Sequence, residues 1–382
     1  MVNFTYHNPT QIEFGKDKEK EIGNHLHVNN VKKVLLTYGS ERIKKDGLFE
    51  TVINSLKAHN IAYIELGGIV SNPLLSKVYE AIAVAKAHQV DAILSVGGGS
   101  VLDSSKAIAA GALYDGDVWD FFLGKAFIEK ALPIFDIITL AATGSEMNCG
   151  AVVTNDTTHQ KYAIMAPALY PKVSIISPEL QSTVTRDYLV YSASDIIAHC
   201  IEGYFTATVQ PTLINKQIEA IITTVMETTE KLIANPQDYE ARAEFAWAST
   251  CALNGLTYVG TSGFGYPNHM IEHAISAICN VPHGAGLSVV MPSWMRWYSD
   301  KNEKQFKRFA QTIFGLDDAQ EGINALEAWF TKIGTPTKLS QMNITQKELD
   351  AIIPNATENA FHFGLGELYT KEVITKILTS AL

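Results

Sequence analysis

Through the first half of this chain, short runs rich in Val, Ile and Leu alternate with segments of helical period, and that alternation narrows the fold more than any other feature. The strand-like Val34 to Tyr38 precedes a helix-like stretch from Leu48 to His59. Ile61 to Leu66 is followed by a turn at Gly67-Gly68 and, after Asn72-Pro73, by the helical Leu75 to His88. Ala92 to Val96 leads through Gly97-Gly98-Gly99-Ser100 into the helical Val101 to Leu113, and Ile134 to Leu140 and Val173 to Ser177 read as two further buried strands. Strands joined through helices pair in parallel, so this half predicts a parallel sheet built from βαβ units. Beyond Pro178 only helical period remains, as in Arg186 to Phe205, Lys216 to Ala234 and Ala241 to Tyr258. The expected architecture is an α/β nucleotide-binding domain over residues 1–177 and an all-helical domain over residues 178–382, with no repeat or low-complexity linker between them.

Composition narrows the class of partner. A chain of 382 residues, 47% of them hydrophobic, can bury the cores of two such domains. A net charge of −10 argues against nucleic acid, whose phosphates need clustered Lys and Arg. Cys149, Cys200, Cys251 and Cys279 form no C-x-x-C pair, and the opening residues have neither a basic nor an apolar leader segment, so a reduced, cytoplasmic location is expected. No apolar stretch reaches the roughly 18 residues of a membrane span. Small molecules are therefore the expected partners. The alternating Phe4 and Tyr6 suggest an edge strand that pairs with a second copy, hence a homodimer.

Two loops at strand ends suit a nucleotide. Gly97-Gly98-Gly99-Ser100 lies between a strand and a helix, where bare backbone N–H groups and the helix terminus can approach a pyrophosphate, and Asp103 follows within the first turn, placed to accept from a ribose or amide. The same residues also suit an ordinary tight turn, since neither G-x-G-x-x-G nor a phosphate-loop ending is present. Tyr38-Gly39-Ser40 ends another strand. An acidic residue there would hold a ribose 2′-hydroxyl and repel a 2′-phosphate. Gly39, with Ser40, Arg42, Lys44 and Lys45 nearby, leans towards NADP(H) over NAD(H), although Glu41 pulls the other way.

Metal chemistry is suggested by the second half. Asp195 and His199 stand i, i+4 in a helical segment, on one face and able to share an ion. His269 and His273 repeat that spacing, and Val281-Pro282-His283-Gly284 brings another imidazole just beyond. Met270 occupies the position that a zincin needs for Glu, which removes the protease reading. A carboxylate with imidazoles suits Fe²⁺ or Zn²⁺.

In this order, Asn8-Pro9-Thr10, Phe14-Gly15, Gly97 to Asp103, Ala142-Thr143-Gly144-Ser145-Glu146 and Pro282-His283-Gly284 resemble the iron-containing, or type III, alcohol dehydrogenase family, most closely its butanol dehydrogenase and broad aldehyde reductase branch. The resemblance implies a dehydroquinate synthase-like fold, with one metal on Asp195, His199, His269 and His283, and His273 acting as a catalytic group beside the nicotinamide and substrate. It implies cofactor contacts at Gly39, Ser40, Gly98, Gly99, Ser100, Asp103, Thr139, Thr143, Asn148 and Lys161. The implied reaction exchanges hydride between NAD(P)(H) and small aliphatic alcohols or aldehydes, mainly in the direction of reduction. A glycerol-type polyol dehydrogenase is the alternative within the fold, and a metal- and NAD-dependent lyase of the dehydroquinate synthase kind is the more distant one. The lyase needs several cations for an anionic substrate, and only Arg186 and Arg296 stand near the motifs.

Overall fold

Strands that read as continuous apolar runs are those a parallel sheet buries on both faces. The computed structural model describes residues 1–382. Its strands β1 (Gln11–Phe14), β2 (Lys33–Tyr38), β3 (Ala62–Leu66), β4 (Ala92–Gly97) and β5 (Ile134–Ile138), with β8 (Val173–Ile176), form a six-stranded sheet in the order β1-β8-β5-β4-β2-β3. Every pairing in it is parallel. Between β5 and β8 the chain forms a separate antiparallel hairpin of β6 (Gly150–Asn155) and β7 (Gln160–Met165).

The helices of this half are α1 (Ile22–Val28), the short α2 (Arg42–Lys45), α3 (Leu48–Ala58), α4 (Leu75–His88), α5 (Gly99–Ala112) and the short α6 (Trp119–Phe122). Side chains on a strand alternate in direction, and the two cores follow that period. Val34 and Leu36 of β2 pack with Leu94 and Val96 of β4 against Ile22, Leu26, Val52 and Leu56. Their neighbours Leu35 and Ile93 face the other way, into Val78, Leu102 and Ile108. Each such buried aliphatic side chain contributes about 1.5–3 kcal/mol.

The second half is helical as expected: α7 (Arg186–Thr206), α8 (Thr212–Ala234), α9 (Tyr239–Leu253), α10 (Pro267–Cys279), α11 (His283–Tyr298), α12 (Glu303–Phe309), α13 (Ala319–Ile333), α14 (Gln346–His362) and α15 (Lys371–Ser380). Its nearest approach to a strand is a single bridge between Val209 and Ser262. Thr185 starts α7 by accepting from the Tyr188 N–H. With small and apolar residues on every side, α7 is buried almost throughout from Leu189 to Phe205. None of these helices is long and apolar enough to cross a membrane.

Three details differ from the sequence reading. The compact units are His7–Thr183 and Met1–Tyr6 with Val184–Leu382, so the division falls six residues past the expected Ser177-Pro178. The reason is local: the Asp17 N–H donates to Glu179, and Arg42 donates to the Thr183 carbonyl, which tie residues 178–183 to the sheet. Residues 1–10 form no strand. The segment of Phe4 and Tyr6 is instead held to the helical unit, the Val2 N–H donating to Gly260 O at 2.9 Å and Tyr6 OH to Asn254 O at 3.5 Å. Finally, β1 and the β6–β7 hairpin went unread.

One buried cation organises the segment between β5 and β6. Lys106 of α5 is fully enclosed and donates to Ser145 O (2.7 Å), Ser145 Oγ (2.8 Å), Gly150 O (2.8 Å), Asn148 O (2.9 Å) and Asn148 Oδ1 (3.1 Å). Asp103, one turn earlier, accepts from Ser145 Oγ at 2.7 Å and from the Val152 N–H at 2.9 Å. Burial lowers the Lys106 pKa to about 8, against the pull of the Asp103 carboxylate. The unfolded chain keeps that proton up to the ordinary 10.5. Below pH 8 both states are protonated and this group adds no slope. Between about pH 8 and 10.5 the unfolded state binds more protons, so this group makes stability rise with pH there, by about 3 kcal/mol in all. In urea unfolding across that window the stability of the parent protein should gain on that of Lys106→Met by about 3 kcal/mol, and parallel profiles would refute it.

Candidate metal centre and nucleotide loops

Asp195 and His199, one turn apart on α7, meet His269 of α10 and His283, the first residue of α11. The Nε2 atoms of His199, His269 and His283 lie 3.5, 3.6 and 3.7 Å from Asp195 Oδ1. Those separations are too long for good hydrogen bonds. They match the edges of a tetrahedron around a metal with ligand bonds of about 2.0–2.2 Å, which are about 3.3–3.6 Å. Asp195 Oδ1 and His269 Nε2 are buried without a hydrogen-bond partner, as two ligand atoms aimed at a shared centre would be. The His199 and His269 rings stack, with centroids 4.7 Å apart.

Sequence proximity alone does not bring His283 to this point; a glycine does. A Cβ at Gly284 would stand 2.0 Å from the backbone oxygen of Tyr191, so the first turn of α11 rests directly on the α7 backbone, one turn before Asp195. His283 is also the most open of the three imidazoles, its side chain 23% exposed against 6% for His199 and 9% for His269. The cluster is therefore most open to solvent on the His283 side.

Two buried carboxylates stand behind the cluster. Glu202 of α7 accepts from the His269 Nδ1–H and backbone N–H, both at 2.9 Å, and from Asn268 Nδ2 at 3.1 Å. Glu272 of α10 hydrogen-bonds His283 Nδ1. Glu202 went unread in the sequence, although its place three residues after His199 puts it on the same helical face. Burial works against charge on Asp195, yet His199, His269 and His283 hold its carboxyl well below the usual range. Burial lowers His199 to about 3. Burial also opposes charge on His269, but Asp195 and Glu202 raise it to about 9.

His273 is one turn beyond His269, its ring centroid 5.7 Å from that of His283 and 5.7 Å from that of Phe363. Tyr266 meets the His269 ring edge-on, Phe264 stacks on Tyr258, and Tyr258 OH donates to the His199 carbonyl. Of the aromatic residues near the motifs, Phe361 is the most exposed, at 71%. Arg186 and Arg296 are committed elsewhere, to the Ile333 carbonyl and to Glu327.

In the sheet unit, β2 lies between β3 and β4, so the chain runs from β2 to one side and returns on the other. That reversal is a topological switch point, outside whose carboxyl strand ends nucleotides bind. Gly39-Ser40 and Gly97-Gly98-Gly99-Ser100 are those two strand ends. A Cβ at Gly97 would come within 2.5 Å of Val101, and one at Gly99 within 2.3 Å of Thr143 Oγ1. The loop stays bare because nothing else fits. Gly99 and Ser100 open α5, where N–H groups have no carbonyl a turn earlier to bond.

The candidate cofactor residues divide into two sets. Gly39, Ser40, Gly98, Gly99, Ser100, Thr139 and Thr143 stand at or beside these ends, the Thr139 N–H donating to Gly97 O at 2.9 Å. Asp103, Asn148 and Lys161 are engaged inward: Asp103 as above, Asn148 with Gly144 O, the Gly150 N–H and Lys106, and Lys161 with Asn72 Oδ1 at 3.0 Å. Two of the three basic residues after Gly39 are likewise occupied, while Lys45 is exposed. Lys44 pairs with Glu41 and Glu65 and holds both carboxyls below their usual range, with Tyr38 OH assisting. Arg42 pairs with Asp46.

Against known proteins, the model for iron-containing alcohol dehydrogenase matches residues 9–178, and that for the C-terminal part of the Fe-containing alcohol dehydrogenase family matches residues 189–382. The chain is 38% identical to probable NADH-dependent butanol dehydrogenase 1 of Bacillus subtilis and 30% identical to the NADPH-dependent aldehyde reductase YqhD of Escherichia coli, with 100% of each chain covered in both comparisons. Among solved structures, NADH-dependent butanol dehydrogenase A of Thermotoga maritima matches with a TM-score of 0.97 at 46% identity, over 100% of this chain and 99% of that one.

The seat of α11 on α7 is open to test. Gly284→Ala forces backbone to move and is expected to cost about 1–3 kcal/mol in urea unfolding, with a parallel fall in metal retained after dialysis. A variant with unchanged stability and metal content would show that the contact does not position His283.

Proposed function

This chain belongs to the iron-containing alcohol dehydrogenase family, and on that premise we propose that it interconverts small aliphatic alcohols and aldehydes, mainly as an aldehyde reductase, with a nicotinamide dinucleotide and one divalent ion. The observation that carries this reading is the convergence of three imidazole Nε2 atoms on the buried Asp195 Oδ1. The donor set fits the ion: one carboxylate and three imidazoles suit Fe²⁺ and Zn²⁺, and Fe²⁺ is the reading adopted from the family. The nucleotide fits as well, since the bare Gly98-Gly99-Ser100 backbone opens α5 at the switch point.

When bound, the ion polarises the substrate oxygen and the reduced nicotinamide supplies the hydride. This chain's own residues do the rest. Asp195, His199, His269 and His283 hold the ion, and the open His283 side admits substrate. Reduction of an aldehyde also takes up one proton, and His273 delivers it, or returns it to solvent in the alcohol direction. Phe264 and Tyr266 give the helical unit an apolar surface beside these groups, which suits short aliphatic substrates. A polyol or an anionic lyase substrate would need polar or cationic groups there, and Arg186 and Arg296 are already committed.

The lean of the sequence towards NADP(H) gives way here to NADH. Lys44 and Arg42 would have to leave Glu41, Glu65 and Asp46 to meet a 2′-phosphate, and those carboxylates repel it. The four free thiols support a reducing, cytoplasmic setting. Exposed Met1, Val2, Phe4 and Tyr6 support a homodimer, which light scattering that finds only monomer would remove.

Butanal reduction by protein stripped of metal and reloaded with Fe²⁺ or Zn²⁺ tests the core of this reading. Activity is expected only after reloading, with kcat/KM at least about tenfold higher for NADH than for NADPH, a difference of about 1.4 kcal/mol. His273→Ala should lower kcat about 10²-fold or more while metal content stays unchanged. Metal-independent turnover, or equal loss of metal and activity in His273→Ala, would overturn it.

A further inference from the structure

The three imidazoles around Asp195 are not equally supported. His269 has Glu202 behind its Nδ1, and His283 has Glu272, whereas His199 Nδ1 has no partner. His199 is fixed in another way, standing mid-helix and stacked on His269. His283 is placed differently: it begins α11 directly after the Val281-Pro282 turn, its ring meets those of His269 and His273 only at tilted angles, and it is the most exposed of the three. Its ring orientation therefore depends on what holds Nδ1.

Glu272 is fully buried, and its carboxylate lies in a slot that a glycine provides. A Cβ at Gly286 would come within 2.7 Å of Glu272 Cγ and 2.8 Å of Oε1. Any side chain at position 286 would expel the carboxylate from the place where it meets His283. An imidazole that ligates through Nε2 must carry its proton on Nδ1, and a carboxylate accepting that proton fixes the tautomer, locks ring rotation and strengthens the ligand.

We propose that Glu272, admitted by Gly286, is a positioning residue that aims His283 Nε2 at the metal centre, so that these two residues set the affinity of the site through its most exposed ligand. The proposal rests on the reading that Asp195, His199, His269 and His283 hold a divalent ion.

The test is titration of the chelator-stripped full-length protein with Co²⁺, followed by calorimetry and by the visible absorption of bound Co²⁺, for the parent protein, Glu272→Ala, Glu272→Gln, Gly286→Ala and His283→Ala. Glu272→Ala and Gly286→Ala are expected to weaken Co²⁺ binding about 10- to 100-fold and to alter the visible bands. Glu272→Gln, whose amide oxygen still accepts from Nδ1, should recover much of that loss. Parent-like affinity and spectrum in Glu272→Ala would overturn the proposal. So would losses that track the thermal stability of the metal-free variants, with no recovery in Glu272→Gln, since the role would then be structural. If Glu272→Ala does not fold, Gly286→Ala and Glu272→Gln decide by the same criteria. Failure of the underlying metal reading looks different: the parent protein would take up no Co²⁺, or His283→Ala would bind it as the parent does.

Discussion

The helical unit is organised by one constraint: nitrogen atoms from three helices must come within 3.7 Å of a single buried carboxylate oxygen on Asp195. Burying so many polar groups costs several kcal/mol unless each has a partner or shares an ion. The surrounding structure supplies those partners in tiers. Glu202 and Glu272 engage the outer nitrogens of His269 and His283, and Asn268 steadies Glu202. Behind them Asn359 of α14 donates to the Met270 carbonyl and fixes α10, while Trp294 of α11 donates to Tyr369 OH. The long α7, buried almost throughout from Leu189 to Phe205, follows from the same demand, because it must offer Asp195, His199 and Glu202 on one face and accept α11 against its bare backbone at Tyr191.

In the sheet unit the limiting quantity is backbone access. Three successive glycines lie where a side chain would collide with Val101 or Thr143 or press on Leu140, and Lys106 gathers five oxygens of the segment that follows Thr143. The ammonium does inside the protein what an ordered solvent shell would do outside it. A loop whose only regular structure is the 3-10 turn of Ser145–Met147 is thereby held beside the start of α5.

How much of this could be read from the sequence depended on whether the signal was local. Strands β2, β4, β5 and β8 announce themselves because both of their faces are buried. The four residues of β1 are mostly half-exposed at the sheet edge and carry no such signal. The hairpin of β6 and β7 does alternate, with Ala151 and Val153 facing Tyr162 and Ile164 in one core, but its turn at Asp156-Thr157-Thr158 lacks the glycine or proline that marks a reversal. The i, i+4 pairs of Asp195 with His199 and His269 with His273 were legible for the same local reason. The bond from His269 to Glu202 spans 67 residues and exists only because α7 and α10 cross there. Asp103, Asn148 and Lys161 have side chains suited to a ligand, and their inward engagement follows from tertiary contacts that no spacing rule reveals.

The meeting of Gly99 with Thr143 also constrains how such a chain can change over time. A methyl group at position 99 would stand 2.3 Å from Thr143 Oγ1, and one at position 98 would stand 3.2 Å from Leu140 Cβ. A larger residue at position 99 is thus viable only if Thr143 shrinks first, whereas one at position 98 asks Leu140 to give by a few tenths of an ångström. The two loops are therefore coupled in mutational order. Substitutions that are harmless in one background are barred in another.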